Sequence, residues 1–169
     1  MKIHLNRKEN KHMLRIAITG AVLLALASII AGCSSSTPSG PTEATLIQPQ
    51  VTDGIVSIPL GEVENNLNVR FGVETQEGDT NFMAYTVGGE IFVRANVCPP
   101  CHSIGFSLEE DVLICDRCGT RFGALTGAGI SGACVGYPKA SVPYEIENGN
   151  IVMSSADLAS AYQDTIEPG

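Results

Sequence analysis

The chain has 169 residues, of which 18 are acidic and 10 basic, and its formal net charge is −8. The charge is uneven, because five of the basic residues but only one acidic residue precede Cys33. Residues 33–169 therefore carry 17 acidic and five basic residues, a net charge of −12 with histidine neutral. So acidic a segment is poorly suited to nucleic acid or an anionic lipid surface, and we expect no nucleic-acid partner.

The amino-terminal segment has the pattern of an export signal. The first 12 residues include four basic ones, and an apolar run over residues 16–31 ends at Ile30-Ala31-Gly32-Cys33. The run is shorter than the roughly 20 residues of a membrane-spanning helix, and the pattern predicts a signal peptide over residues 1–32. Its ending resembles a bacterial lipobox, which implies cleavage before Cys33 and a lipid on that cysteine. An uncleaved anchor helix is the alternative. Either way, we expect a domain on the extracytoplasmic side of the cell membrane or outer membrane.

Residues 33–52 are rich in serine, threonine, proline and glycine, which predicts a flexible tether. Strand patterns begin at residue 53, and Pro59 suggests that the first strand, over residues 55–60, lies at a sheet edge. Alternating apolar residues predict further strands over 67–73, 82–87 and 90–97. Gly88-Gly89 is typical of a hairpin between the last two.

Short strand patterns continue in the second half of the chain. Val112–Ile114 leads into Cys115, and strands over 142–146 and 151–153 flank an Asn148-Gly149 hairpin. Only one short helical segment, over residues 156–162, is expected after the signal. The sequence thus predicts a mostly β domain over residues 53–155, either a small sandwich or an open barrel, with a C-terminal tail over 156–169.

Two C-x-x-C turns lie between these strands. Cys98 and Cys101 form the first, Cys115 and Cys118 form the second, and 13 residues separate them. Paired thiolates at this spacing suit one tetrahedral soft-metal site. Zinc, a single iron ion and an iron–sulfur cluster can all bind to this set of ligands. Five cysteines follow the predicted signal when Cys33 is set aside, and an odd number cannot close wholly into intramolecular disulfides.

Other interpretations of these cysteines remain open. Cys98-Pro99-Pro100-Cys101-His102 matches the haem-attachment pattern, with His102 as proximal ligand and Met83 or Met153 as distal candidate. A β context disfavours this small c-type cytochrome, as do the cysteines it leaves without a role. Thiol–disulfide exchange, structural disulfides and a purely structural zinc domain are further alternatives.

The fifth cysteine after the signal, Cys134, has no clear partner in the sequence. It is a weak candidate for a fifth or exchangeable metal ligand. It is equally a candidate for a disulfide partner or for a small buried apolar residue, which is the usual fate of a single cysteine.

The order of motifs resembles a Rieske domain. Val87-Gly88-Gly89-Glu90-Ile91 precedes the first turn, and Cys115-x-x-Cys118-Gly119-x-x-Phe122 is followed by Thr126-Gly127. Cys118 stands where that family has histidine, and the first turn is C-x-x-C where the family has C-x-H. The chain more closely resembles FtrD-like membrane iron–sulfur proteins, with two C-x-x-C pairs at this separation and a later Gly-x-Cys, here Gly132-Ala133-Cys134.

The resemblance implies a Rieske-like domain that binds metal through Cys98, Cys101, Cys115, Cys118 and, more weakly, Cys134. It also implies electron transfer or iron handling beside a membrane redox or metal-transport partner, with no catalysis of its own. Residues between positions 137 and 144 would form a lid over the site, as the proline-bearing loop does in Rieske domains, and packing in the core or in a loop explains them equally well. These residues are Tyr137, Pro138, Lys139, Pro143 and Tyr144. The signal lacks twin arginines, which favours export of an unfolded chain and a metal acquired afterwards.

Overall fold

The computed structural model describes residues 40–75 and 78–169. The predicted signal peptide, Cys33 and most of the predicted tether lie outside these residues. The described chain runs through these elements in order: β1 (Thr45–Leu46), β2 (Gln50–Thr52), β3 (Ile55–Pro59), α1 (Leu60–Asn66), β4 (Asn68–Thr75), β5 (Gly78–Val87), β6 (Glu90–Ala95), β7 (Phe106–Glu109), β8 (Val112–Cys115), β9 (Arg121–Gly123), β10 (Gly129–Ser131), β11 (Glu145–Glu147), β12 (Asn150–Ser154) and α2 (Ser155–Ile166).

The strands form three four-stranded sheets, in the orders β1-β4-β5-β6, β10-β9-β8-β7 and β11-β12-β3-β2. We call the second of these the cysteine sheet, because β8 ends at Cys115. Neighbouring strands are antiparallel except β1 and β4, which pair in parallel. None of the three sheets closes into a barrel within the described part of the chain, and the prediction of a mostly β domain is confirmed.

Strand β5 connects the two hydrophobic cores of the domain. Side chains alternate across a strand, and here both faces are buried. Phe82 and Ala84 pack into the first core, between the β4–β6 sheet, the β3–β12 sheet and the helices. Met83 and Tyr85 point into the second core, which contains the buried side chains of the cysteine sheet. The strand therefore fixes the cysteine sheet against the rest of the fold.

Two predicted hairpins are confirmed. Val87 pairs with Glu90 across Gly88-Gly89, and Glu147 pairs with Asn150 across Asn148-Gly149. Both residues of each turn have positive φ, between 49° and 83°. Glycine adopts such angles without steric cost, and asparagine tolerates them better than most residues, so these sequences favour the tight turn.

The folded domain begins before residue 53, and the predicted tether is too long. Strands β1 and β2 both lie within residues 33–52, and β1 pairs with β4. Thr42 exchanges two backbone hydrogen bonds with Leu108. The Asn68 amide donates to the carbonyl oxygens of Thr42 and Phe106, each at 3.0 Å. This segment was missed because its polar residues lack strand periodicity, and its pairing depends on distant partners.

Pro59 does not mark a sheet edge, because β3 lies between β2 and β12. It is instead the last residue of β3, beyond the β2 pairing, and the cap residue before α1. Proline is tolerated there because no sheet partner requires its missing N–H. Helix α1 was not predicted. It is a short helix, and its Val63 side chain is buried in the first core.

The predicted C-terminal tail is a helix of 12 residues, α2, and belongs to the domain. The Ser154 hydroxyl caps it by accepting the Asp157 N–H at 3.0 Å. Leu158 and Ala161 are buried in the first core, and the Thr165 hydroxyl accepts the Ala140 N–H at 2.9 Å. No helix in residues 40–75 and 78–169 is both long and apolar enough to span a membrane.

Candidate metal centre

The first cysteine turn follows strand β6. The Cys98 N–H donates to the Ser103 carbonyl at 2.8 Å, and the Cys101 N–H donates to the Cys98 carbonyl at 3.2 Å. His102 completes the turn with a φ of 56°. Cys98 is fully buried and Cys101 is half-buried, while His102 is exposed. The loop therefore folds back on itself and turns both sulfurs towards the protein.

The second turn begins where β8 ends. The Gly119 N–H donates to the Cys115 carbonyl, and the Cys115 N–H donates to the Thr120 carbonyl, both at 2.9 Å. Gly119 has a φ of 69°, which a side chain would strain, so the glycine after Cys118 is required by the turn. Cys115 is buried and Cys118 is the more exposed of the pair.

A close backbone approach holds the two turns side by side. Cys115 pairs with Phe106 across β7 and β8, and the Asp116 N–H donates to the Gly105 carbonyl at 3.1 Å. A Cβ at Gly105 would lie 2.6 Å from an Asp116 carboxylate oxygen, so a larger residue would displace that side chain. The Ser107 hydroxyl donates to the same carboxylate at 2.7 Å. Gly105 is thus a packing residue between the turns.

This arrangement brings together the four cysteines of the C-x-x-C turns. The Sγ atoms of Cys98, Cys101, Cys115 and Cys118 all lie within 4.8 Å of one another, and those of Cys101 and Cys115 are 3.6 Å apart. Sulfurs bound tetrahedrally at about 2.3 Å from one ion are about 3.8 Å apart. The donor set and its spacing therefore fit a metal ion, and no large movement of the backbone is needed to bind one.

The environment of the four thiols divides the site into a buried and an exposed side. Burial raises the pKa of the Cys98 and Cys115 thiols. For Cys115, hydrogen bonds from the N–H groups of Cys118 and Arg117 oppose this rise. By contrast, the hydrogen bond with the Thr120 hydroxyl lowers the pKa of Cys118 to about 6. The buried cysteines therefore need a cation to become thiolates, whereas Cys118 ionises readily.

We predict that Cys118 is the most reactive thiol of the metal-free protein. Its depressed pKa means that the thiolate persists below neutral pH and is lost as the pH falls through about 6. The rate of iodoacetamide labelling at Cys118, located by mass spectrometry, should follow that midpoint. Thr120→Val removes the hydroxyl and should move the midpoint upward, towards the ordinary value of 9.0. Equal labelling profiles in both proteins would contradict the role of Thr120.

Cys134 lies against the four-cysteine cluster but is not one of its members. Its sulfur is 3.8 Å from that of Cys118, and its N–H donates to the Thr120 hydroxyl oxygen at 3.2 Å. The side chain is buried in the second core. Cys134 therefore lies beside the exposed side of the site, close to Cys118, but its sulfur is outside the group of four mutually close sulfurs.

The predicted lid is wrong for most of its length. Ala140 and Val142 exchange backbone hydrogen bonds with β6, and the Tyr144 hydroxyl donates to the Ile91 carbonyl at 2.8 Å. Tyr144 packs against the first core. These residues lie along the edge strand β6, whose free backbone groups they satisfy, so they do not cover the sulfurs.

Lys139, at the start of that segment, is a site residue whose role the sequence did not reveal. It is buried, with 1% of its surface exposed, and its ammonium donates to the Val97 carbonyl at 2.7 Å. Burial lowers the pKa of Lys139 to about 8, and attraction to Cys98 and Cys115 acts against this lowering. A lysine in a polar loop is usually exposed, and nothing in the spacing of the motifs signals this burial.

The residues of the haem alternative do not converge. His102 is exposed on its turn, Met83 lies in the second core beside Cys98, and Met153 lies in the first core. The two methionines therefore belong to different cores. The sulfurs of Cys98 and Cys101 are grouped with those of Cys115 and Cys118, which the haem interpretation leaves unused.

The fold and the site together define a small Rieske-like β domain with a cluster of four cysteines that could hold a metal centre. The chain belongs to the family of FtrD-like membrane iron–sulfur containing proteins, and the match covers residues 63–164. Cys98, Cys101, Cys115, Cys118 and Cys134 all lie within the matched region. No curated protein matches the chain in sequence.

One solved structure supports the fold class, and two others show lower similarity to the chain. A chain of the complex of reduced oxygenase and oxidized ferredoxin in carbazole 1,9a-dioxygenase aligns with a TM-score of 0.50 and 18% identity, over 62% of this chain and 95% of that one. The Sphingomonas yanoikuyae B1 ferredoxin has 27% identity and a TM-score of 0.41, over 49% and 83%. The plasma membrane Rieske protein PetC3 from Synechocystis PCC 6803 has 13% identity and a TM-score of 0.43, over 57% and 94%.

Proposed function

We propose that this protein is a membrane-anchored, extracytoplasmic metalloprotein that transfers electrons or handles iron for a membrane redox or metal-transport partner. Cys98, Cys101, Cys115 and Cys118 hold its metal. The observation that carries the proposal is the separation of their four sulfurs, all within 4.8 Å of one another. Four cysteines from two separate turns have no reason to converge so closely unless they share a ligand or form disulfides.

We propose further that the metal is a single iron ion. Sulfurs around one tetrahedral ion are about 3.8 Å apart, close to the 3.6 Å between Cys101 and Cys115. In a two-iron cluster, sulfurs bound to opposite irons stand farther apart than sulfurs that share one ion. The description of the family as iron–sulfur containing supports iron as the metal, and the absence of inorganic sulfide is where this proposal departs from that description. A lone ion is also easily acquired after export of an unfolded chain, as the predicted signal requires.

An iron ion held by four thiolates supplies one-electron redox chemistry. The chain provides the environment for it. Cys98 and Cys115 are buried, so their sulfurs are screened from water, and the N–H groups around Cys115 stabilise its thiolate. Cys118 is exposed, which makes its side of the site the natural point for exchange with a partner. A lipid on Cys33 and the flexible tether predicted after it would let the domain reach that partner.

The metal content of the protein tests this proposal. Protein purified from its native envelope should contain one iron per chain, with no inorganic sulfide, and should show broad thiolate-to-iron absorption in the visible range. Iron with stoichiometric sulfide would indicate a cluster and contradict the single ion. A sharp Soret band would indicate haem, while protein with neither metal nor sulfide would contradict a metal centre altogether.

Zinc is the second candidate, because the same tetrahedral set of four thiolates is typical of structural zinc sites. The grouping of the four sulfurs favours it over haem as an alternative. Stoichiometric zinc and a featureless visible spectrum would support a structural role without electron transfer.

A further inference from the structure

The ammonium group of Lys139 is buried between the two cysteine turns and the aromatic side chains of the second core. It lies 4.5 Å from the centroid of the Phe122 ring and 5.3 Å from that of Phe106. Its hydrogen bond to the Val97 carbonyl is made one residue before Cys98. Phe106 pairs across the sheet with Cys115. The charge therefore lies next to the backbone that carries a cysteine of each turn.

This buried cation has no carboxylate partner. Across residues 40–75 and 78–169, the one ion pair joins Arg121 to Glu109. The groups whose negative charge would stabilise Lys139 are the sulfurs of cysteines, foremost Cys98 and Cys115. A buried ammonium is costly unless it is paired with an anion, and a carbonyl with two aromatic rings compensates only part of that cost. The anion that would complete the environment of Lys139 is a metal–thiolate centre.

The backbone at Lys139 is held firmly enough to fix the position of its side chain. The Lys139 N–H donates to the Gly127 carbonyl at 2.8 Å, and the Arg94 guanidinium donates to the Lys139 carbonyl at 2.9 Å. A Cβ at Gly127 would overlap the Lys139 carbonyl oxygen, so the chain approaches as closely as glycine allows. Arg94 also donates to the Tyr85 hydroxyl and the Leu125 carbonyl, both at 2.8 Å.

We propose that Lys139 is the counter-charge of the metal centre and that it sets both the metal affinity and the reduction potential. This inference rests on the proposed function. Four thiolates around a ferric ion carry a net charge of −1, and the same site with a ferrous ion carries −2. A fixed positive charge nearby stabilises the more negative, reduced form, and it also stabilises the bound thiolates relative to free thiols. Lys139 is a positioning residue, because it touches the ligand turns and not the metal.

The test compares Lys139→Met, which removes the charge at similar length, and Lys139→Gln, which removes the charge but keeps a hydrogen-bond donor. Both iron-loaded variants should be reduced less readily than the parent protein. We expect about a tenfold change in the ratio of reduced to oxidised iron at a fixed potential, a downward shift of about 59 mV for one electron. Competition with a metal chelator should show about tenfold weaker binding, as for other residues that support metal ligands.

Arg121→Gln is the matched control. It removes one positive charge from the cysteine sheet outside both turns, but the Arg121 side chain is 41% exposed and pairs with Glu109, so solvent screens its charge and both quantities should stay near the parent values. If the role of Lys139 were purely structural, its replacement would lower the stability of the protein without changing the reduction potential of the folded form. If either charge-removing variant that folds keeps the parent potential or the parent affinity, the inference is overturned. If the parent protein itself binds no metal, the proposed function has failed instead.

Discussion

Replacing Cys115 by serine should abolish stoichiometric metal binding. Cys115 is buried at the end of β8, and its sulfur lies 3.6 Å from that of Cys101. Serine fits the same space but supplies a hydroxyl in place of a soft thiolate, leaving three sulfur ligands. Changes in residues that only support a ligand weaken metal binding by about 10- to 100-fold, so loss of a ligand should cost at least about 100-fold. Chelator competition and metal analysis after gel filtration measure this loss.

Cys134→Ser is the control for that experiment. Cys134 is also buried and also lies beside the cluster, but it is outside the four mutually close sulfurs. This variant should keep one metal per chain. Equal loss of metal in both variants would show that Cys134 is a ligand. Retention of full affinity in Cys115→Ser would contradict the assignment of the site.

Replacing Phe122 by alanine should cost about 3–5 kcal/mol of the free energy of unfolding. Phe122 is fully buried in β9, and its ring meets that of Phe106 edge-on at 5.9 Å between centroids. It also forms one of the two aromatic faces against which Lys139 packs. A small domain has about 5–15 kcal/mol of total stability, so this loss would be a large share of it. Urea unfolding of the metal-free protein, followed by circular dichroism, measures the difference.

Leu125→Ala provides the matched control, because Leu125 lies three residues from Phe122 but is 52% exposed. Its substitution should change the free energy of unfolding by no more than about 0.5 kcal/mol. A loss below about 1 kcal/mol for Phe122→Ala would mean that the aromatic pair does not support the cysteine sheet as described.

The sequence was sufficient to predict the two cysteine turns, because the information for each turn is local. A C-x-x-C turn brings its own two sulfurs together within four residues, and the strands before Cys98 and Cys115 fix where each turn starts. The hairpins at Gly88-Gly89 and Asn148-Gly149 were predictable for the same reason, since both depend on residues that tolerate positive φ.

The missed features depend on contacts between distant parts of the chain. Strand β1 is stabilised by its pairing with β4, and Thr42 by its bonds to Leu108. Helix α2 is longer than its sequence pattern indicates because its apolar residues complete the first core. The burial of Lys139 could not be recognised, because it depends on contacts with Val97, Phe106 and Phe122, which are distant in the sequence.

X-ray absorption at the iron edge tests the central claim most directly, because it counts the neighbours of the metal in intact protein. We predict a single shell of four sulfur atoms around one iron ion and no second iron nearby. The sulfurs of Cys98, Cys101, Cys115 and Cys118 already lie within 4.8 Å of one another, as that shell requires. A second iron neighbour would contradict the single-ion site, and nitrogen or oxygen in place of sulfur would contradict the ligand assignment.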